Sequence, residues 1–410
     1  MYKKLLIGII GATMLIALSG CGSSEAQASN STTNANNELT IAVGEGFVDG
    51  FFEEAARRFE EIHDGRYTVT FVTVGDARSY AQIMNTALMS GMGEDIIFAS
   101  QLAWQRLADV GKFVDLNNKM NFPPNEFYQS VLDAYLYNGG RYVLPLQFNV
   151  WAFSLNDEVS ATVNSNRFTI EDVITLAYAY PHLEVFHSPM GMCATTLAYR
   201  IFELYFDEFI DLPNRTANVD NENFINLLKS IQPLAYRLMV TSWATPPIII
   251  ETLFHNIVMN VEGIQDYTGF NIMTNSRGEG LVSARNHMAI NANSQNQELA
   301  ARFLQFLISE EMQSSPEMWA TPVNRNAAIT NSSAMLESQR ALGFVPEGVD
   351  FETNLVAFNS LADRLTIAGT SDPFIGDFVR TEMTRFFDGE VTAEQAAVNL
   401  QARLTTYLNE

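Results

Sequence analysis

Between Leu39 and Ala99 the chain alternates short apolar runs with amphipathic stretches, at a spacing that few folds accept. Leu39–Val43 alternates as a strand. Phe52, Ala55, Ala56, Phe59 and Ile62 then share one helical face, with Glu53 and Glu54 near its N-terminal end. Tyr67–Val74 is β-branched and stops at Gly75-Asp76. Ser79-Tyr-Ala-Gln82 has the spacing of a capping box, and Tyr80, Ile83, Met84, Ala87 and Leu88 form the apolar stripe of the helix it would start. Asp95–Ala99 is a third, buried strand. Strand, helix, strand, helix, strand predicts an open, mainly parallel sheet. Such sheets bind ligands beyond the carboxyl ends of their strands, near the topological switch point. Here those ends carry Glu45, Gly46, Phe47, Asp76, Ser100 and Gln101. The Gly44-x-Gly46 pair does not complete a dinucleotide fingerprint, because Asp49 stands where the third glycine is needed.

The second organising stretch is Asn138–Asn156. It opens on a Gly139-Gly140 turn, and Pro145 excludes a regular helix, having no N–H and pushing Leu144 toward extended geometry. With period two, Leu144, Leu146, Phe148 and Val150 point one way, while Gln147, Asn149 and Trp151 point the other. The first set predicts core. The second offers two amides and a flat ring, which suits a polar small molecule. The strand alone also fits an edge strand with a solvated polar face.

At 410 residues the chain is long enough for two domains with their own cores. It carries 24 Lys+Arg against 47 Asp+Glu, a balance that excludes a nucleic-acid partner. Lys3 and Lys4 precede an apolar run, Leu5 to Leu18, too short for a membrane span. Leu18-Ser19-Gly20-Cys21 then resembles the bacterial lipobox, which implies removal of residues 1–20 and lipid on Cys21. Residues 21–37 hold no large apolar side chain and predict a flexible tether. With Cys21 lipidated, Cys193 has no partner for a disulfide and is expected to be a small buried residue.

Further along, Thr169-Ile-Glu-Asp172 starts a helix, Leu183–Phe186 is a strand running into His187, and Asn223–Leu234 is another amphipathic helix. Ser294-Gln-Asn-Gln297 has capping-box spacing, and so does Thr392 with Gln395 ahead of the last helix. The five histidines (63, 182, 187, 255 and 287) show no metal-ligand spacing, so no metal and no cofactor is expected. They are expected on surface or loops, with only His187 near a cleft. Neither a Gly-x-Ser-x-Gly elbow nor a Cys-His pairing marks a nucleophile.

Several pieces in order resemble the bacterial extracellular solute-binding proteins of ABC importers, the class that contains maltose-binding protein. They are Gly91-Met-Gly-Glu-Asp-Ile-Ile-Phe98, Leu107–Leu116, Gly140–Pro145 with Leu155-Asn156, Met288–Ser294, Pro322–Arg325 and Asp388–Gln395. The resemblance implies an α/β, two-lobed periplasmic-binding-protein-like fold of type II, with two open sheets joined by three crossover segments. Lobe 1 would be residues 38–146 and 285–321, and lobe 2 residues 147–284 and 322–410. It implies a monomeric, lipid-anchored, extracytoplasmic receptor, not an enzyme, that captures a sugar and delivers it to a membrane permease. By position it carries ligand contacts to Glu45, Gly46, Phe47, Ser100, Gln101 and Asn149, and crossovers to 145–151, 281–290 and 321–325. Arg285, in the second crossover, would be an anion clamp or a hinge salt bridge. The family's Gly-x-Trp turn is absent at Glu262-Gly263-Ile264, leaving Trp243 and Tyr267 as substitutes. Trp104 and Trp319 are expected in the core. A cell-surface glycan hydrolase, or a sensor or adhesin of the same fold, is the alternative.

Overall fold

The structure is a computed structural model that describes residues 37–76, 79–155, 159, 168–187, 193–237, 247–254, 270–343, 350–370 and 372–410. The principal strands are β1 (Glu38–Val43), β2 (Thr68–Thr73), β3 (Ile96–Phe98), β4 (Gln147–Leu155), β5 (Glu184–His187), β6 (Pro247–Phe254), β7 (Phe270–Asn271), β8 (Ser283–Arg285), β9 (Met288–Ile290) and β10 (Thr321–Pro322).

The opening alternation folds as expected. β1 pairs in parallel with β2 from Glu38↔Thr68 to Val43↔Thr73, and with β3 at Ile41↔Ile96. The chain returns as β9 to close the other edge antiparallel, Met288 opposite Phe98. Helix Gly50–Ile62 is capped by the Asp49 carboxylate, which accepts from the Phe52 N–H, and its Phe52, Ala55 and Phe59 are buried. Phe59 meets Phe303 of the helix Gln297–Leu307 edge to face, 5.1 Å between ring centres. Underneath, Asp95 ties the sheet to the returning chain. Its carboxylate accepts from Thr40 N–H and hydroxyl and from the Ser294 hydroxyl.

Two expected capping boxes do not form. The Ser79 hydroxyl donates to Asp76 at 2.6 Å and makes no cap bond to helix Tyr80–Met89. Ser294 is likewise taken by Asp95, and Asn296 precedes Gln297–Leu307 without a side-chain cap. In both cases the serine oxygen accepts from a different backbone N–H, that of Asp76 at 3.1 Å for Ser79 and that of Asn296 at 2.9 Å for Ser294. Thr169 with Asp172 and Thr392 with Gln395 do form capping boxes.

The second sheet has the order β7-β4-β6-β5, with β4 antiparallel to β6 and β6 parallel to β5. Two hydrophobic cores result. One runs from Leu39 through Ala152 and takes back Met288–Ala328 and Phe358–Leu365; the other runs from Phe153 to Leu234 and takes Ile367–Leu408. Adjacent residues Ala152 and Phe153 thus serve different cores from one strand. Helix Phe351–Ala362 sits on the first core through Phe358 and Leu361.

β4 is where the lobes join. Its first residues leave the second sheet and pair instead with β8, Arg285 opposite Gln147, and with β10, Pro322 opposite Gln147. The three expected crossover segments therefore lie side by side. This location corrects the alternation read from the sequence. Gln147 is 1% and Asn149 0% exposed, as fully buried as Phe148 and Val150, because a strand paired on both edges between two cores has no solvated face. The Gln147 amide oxygen accepts from the Ala320 N–H at 3.2 Å. Gln313 completes the packing, donating to the Leu146 carbonyl at 2.7 Å and accepting from the Asn324 N–H at 2.9 Å.

Candidate functional site

A cleft of about 1310 Å³ opens between the two cores, larger than the ~300–1,000 Å³ of a drug-sized pocket. One wall comes from the carboxyl ends of the parallel strands. Phe47 follows β1 and packs on Phe98 at 5.0 Å between ring centres, while Ser100 and Gln101 follow β3. Gln82 and Asn85 reach in from helix Tyr80–Met89. The back is the second crossover, from Ser283 to His287, with Tyr135 beside it. The opposite wall is Trp151 of β4, helix Ala194–Leu204 through Tyr199, Arg200 and Glu203, and helix Pro373–Phe387 through Asp377 and Arg380.

Of the residues expected here, Phe47, Ser100, Gln101, Trp151 and Arg285 line the cleft. Glu45, Gly46 and Asp76 lie on exposed turns outside its wall, Asp76 engaged with Ser79. Gln147 and Asn149 are inside the protein behind it. Trp243, Tyr267, the Glu262-Gly263-Ile264 turn and Cys21 fall outside the described residues. Trp319 is not core: it is 44% exposed, and the Arg285 guanidinium stands 4.8 Å from its ring centre. Trp104 is buried as expected. Cys193 is half-buried, its thiol 3.2 Å from the Thr196 hydroxyl.

His287 overturns the expectation for the histidines. It is 4% exposed at the back of the cleft, packed on Tyr135 at 4.6 Å between ring centres. Neither ring nitrogen has a hydrogen-bond partner among the described residues, and burial pulls the imidazole down to about 4, so it is neutral at neutral pH. Its backbone N–H donates to the Ser100 hydroxyl oxygen at 2.8 Å.

The Trp151 wall is a set of stacked charges. Arg200 lies 3.8 Å from the Trp151 ring centre and Arg380 lies 3.9 Å from that of Tyr199. Half-buried Glu203 interacts with both arginines and with Tyr199. Burial pushes its carboxyl up to about 7, against the Tyr199 hydrogen bond, the two arginines and the Thr370 N–H that favour the charged form. Tyr199 and Glu203 are four apart, so one helical turn stacks them on the same face. That spacing was the one signal in the sequence for this cluster. Beside the cleft, Asp372 caps helix Pro373–Phe387 and accepts from the Tyr407 hydroxyl, and Arg106 covers the Tyr407 ring.

No protein-family model matches the sequence, and no curated protein matches it. Solved structures do match. An ABC substrate-binding protein from Listeria monocytogenes in complex with cycloalternan is 15% identical, with 91% of this chain and 99% of that chain covered and a TM-score of 0.58. The cyclic alpha-maltosyl-1,6-maltose binding protein from Arthrobacter globiformis is 14% identical over 91% and 99%, with a TM-score of 0.55. The GacH receptor of Streptomyces glaucescens, solved unliganded and with acarbose, is 14% identical over 92% and 100%, with a TM-score of 0.54. The likeness runs over nearly the whole of each chain, and the protein has the two-lobed α/β fold of the extracellular solute-binding proteins.

Proposed function

We propose that this protein is the extracytoplasmic receptor of an ABC importer, holding a carbohydrate between its lobes and presenting it to a membrane permease. The observation that carries the reading is the cleft of about 1310 Å³, walled by both cores and backed by three paired crossover strands. A ligand that touches both walls stabilises the closed arrangement by its differential contacts, and bending is confined to the crossovers. The matching proteins bound to cycloalternan and acarbose support a carbohydrate as the cargo. Gln82, Asn85, Ser100 and Gln101 supply hydrogen-bonding groups on one wall, and Tyr199 faces them from the other. The Lys3–Cys21 stretch supports a lipid tether at Cys21, with residues 22–37 as its leash.

The test is a thermal-unfolding screen of residues 36–410, which form one compact unit, against glycans, amino acids, peptides and polyamines. A ligand at a hundred times its dissociation constant adds about 2.7 kcal/mol to stability. Saturable stabilisation by a saccharide without turnover supports the receptor. Release of product from a chromogenic glycoside panel would establish the hydrolase instead. For the anchor, Cys21→Ser in the full chain should free the protein from the membrane fraction.

A further inference from the structure

We infer that the captured carbohydrate is anionic, its carboxylate, sulfate or phosphate held by Arg285 and Arg380. The inference rests on the carbohydrate-receptor reading and narrows its cargo.

Acidic residues outnumber basic ones two to one in this chain, 47 to 24, so an average stretch of its surface repels anions. The cleft departs from that average. Arg200, Arg285 and Arg380 line it, facing Glu203, Asp372 and Asp377. Asp372 is spent: it caps a helix through Phe374 and Ile375 and accepts from Tyr407. Glu203 is half-buried beside the arginines, and with its carboxyl raised to about 7 only part of its population carries charge at neutral pH. Among the described cleft residues Asp377 is thus the one exposed carboxylate, against the exposed guanidinium groups of Arg285 and Arg380.

The arginines are also held in a particular way. Arg285 lies over Trp319 and Arg380 over Tyr199, and no carboxylate comes within ion-pairing distance of Arg285 among the described residues. Among the described residues Arg285 thus makes no hinge salt bridge. Stacking on a ring uses the flat face of a guanidinium and leaves its N–H edges, the geometry that grips a carboxylate, sulfate or phosphate by two bonds. A neutral sugar needs the reverse arrangement, an open aromatic face. Arg200 already covers a face of Trp151, the indole that β4 brings to the cleft.

The experiment measures binding of residues 36–410 by calorimetry to matched probes: an oligogalacturonate, a sulfated disaccharide, a hexose phosphate, and their neutral counterparts. At least one anionic probe should bind ten-fold or more tighter than its neutral partner, and its affinity should fall as salt rises. The arm that binds identifies the anionic group. Arg285→Gln and Arg380→Gln should each weaken that probe ten-fold or more while unfolding at the parent temperature. Lysine at either position tests the fork against charge alone and should rescue only in part. Neutral saccharides binding as well as charged ones would overturn the inference and leave the carbohydrate receptor standing. Unchanged affinity in both glutamine variants would do the same. Failure of every saccharide would remove both.

Discussion

The guanidinium carbon of Arg106 stands 4.4 Å from the centre of the Tyr407 ring, and the Tyr407 hydroxyl donates to both oxygens of Asp372 at 3.1 and 2.9 Å. Arg106 belongs to the helix Trp104–Asp109, which is rooted in the first core by Trp104 and Leu107. Tyr407 packs on the second core. The contact bridges the lobes beside the cleft, while the crossovers join them behind it. A cation over a ring is worth about 0.5–1 kcal/mol where water reaches it, enough to bias a hinge and too little to hold a fold. Arg106→Ala should therefore leave the unfolding temperature almost unchanged and raise the radius of gyration of the ligand-free protein in solution scattering. Saturating ligand should restore the parent value. An identical radius in variant and parent, without ligand, removes the contact from any role in closure.

Two buried groups should give the protein opposing pH dependences. Glu203 is raised from 4.5 to about 7 by burial, with Tyr199, Arg200, Arg380 and the Thr370 N–H around it. Folding takes up a proton there between those values. Its contribution is complete below pH 4.5 and is lost as pH rises through about 7. His287, against Tyr135, is lowered from 6.5 to about 4, so folding releases a proton. Its contribution is complete above pH 6.5 and is lost as pH falls through about 4. Each is on the order of 3 kcal/mol, and across the shared window they cancel. Relative to the parent, Glu203→Gln should gain stability as pH rises from 4.5 to 6.5, and His287→Asn should lose it. Denaturant titrations across that range read the slopes, and parallel curves for all three proteins would contradict the assignment.

What the sequence could reveal divides by distance along the chain. Phe47, Ser100 and Gln101 were legible because a parallel sheet puts the residues after its strands at one edge, and hydrophobic period alone finds those strands. Arg285 was legible from its place in the second crossover. Gln147 and Asn149 were misread because alternation of polar and apolar residues normally marks a half-buried strand. Nothing local says that β8 and β10, more than a hundred residues on, will pair along both edges of a strand held between two cores. Tyr199, Arg200, Glu203 and Arg380 were missed for a related reason. They lie on two helices with ordinary apolar stripes, nearly two hundred residues apart, and become a cluster only when those helices pack. The capping boxes teach the same lesson at short range: where another backbone N–H, that of Asp76 or Asn296, takes the serine oxygen, the motif is not used.

Gly376 separates stability from capture. A Cβ there would stand 3.1 Å from Nη1 of Arg380 and 3.2 Å from the Tyr199 hydroxyl, tighter than ordinary contact. Gly376→Ala should cost the fold nothing, since alanine is better than glycine inside a helix by about 1 kcal/mol. The stacked pair, however, must move by a few tenths of an ångström. The expected outcome is an unfolding temperature equal to or above the parent's, with several-fold weaker ligand binding by calorimetry. Binding at the parent affinity would place the Tyr199–Arg380 pair outside the ligand's contacts.

Gln313 makes the converse case, a residue that holds the hinge without reaching the cleft. Fully buried, it donates to the Leu146 carbonyl, accepts from the Asn324 N–H, and so links the first crossover to the third. Gln313→Leu keeps most of the volume and removes both bonds. The Leu146 carbonyl retains the Val323 N–H as a partner at 3.2 Å, but the Asn324 N–H is left buried without an acceptor. An orphaned buried donor costs about 1–3 kcal/mol, against a few tenths for a typical surface substitution. The variant should unfold several degrees below the parent, and its midpoint should not depend on salt, because no ion pair is involved. Its ligand affinity, measured well below that midpoint, should stay within about two-fold, since the three strands remain paired through their backbones. A variant as stable as the parent would mean that the Asn324 N–H finds another acceptor, and that the amide is not what fixes the crossovers together.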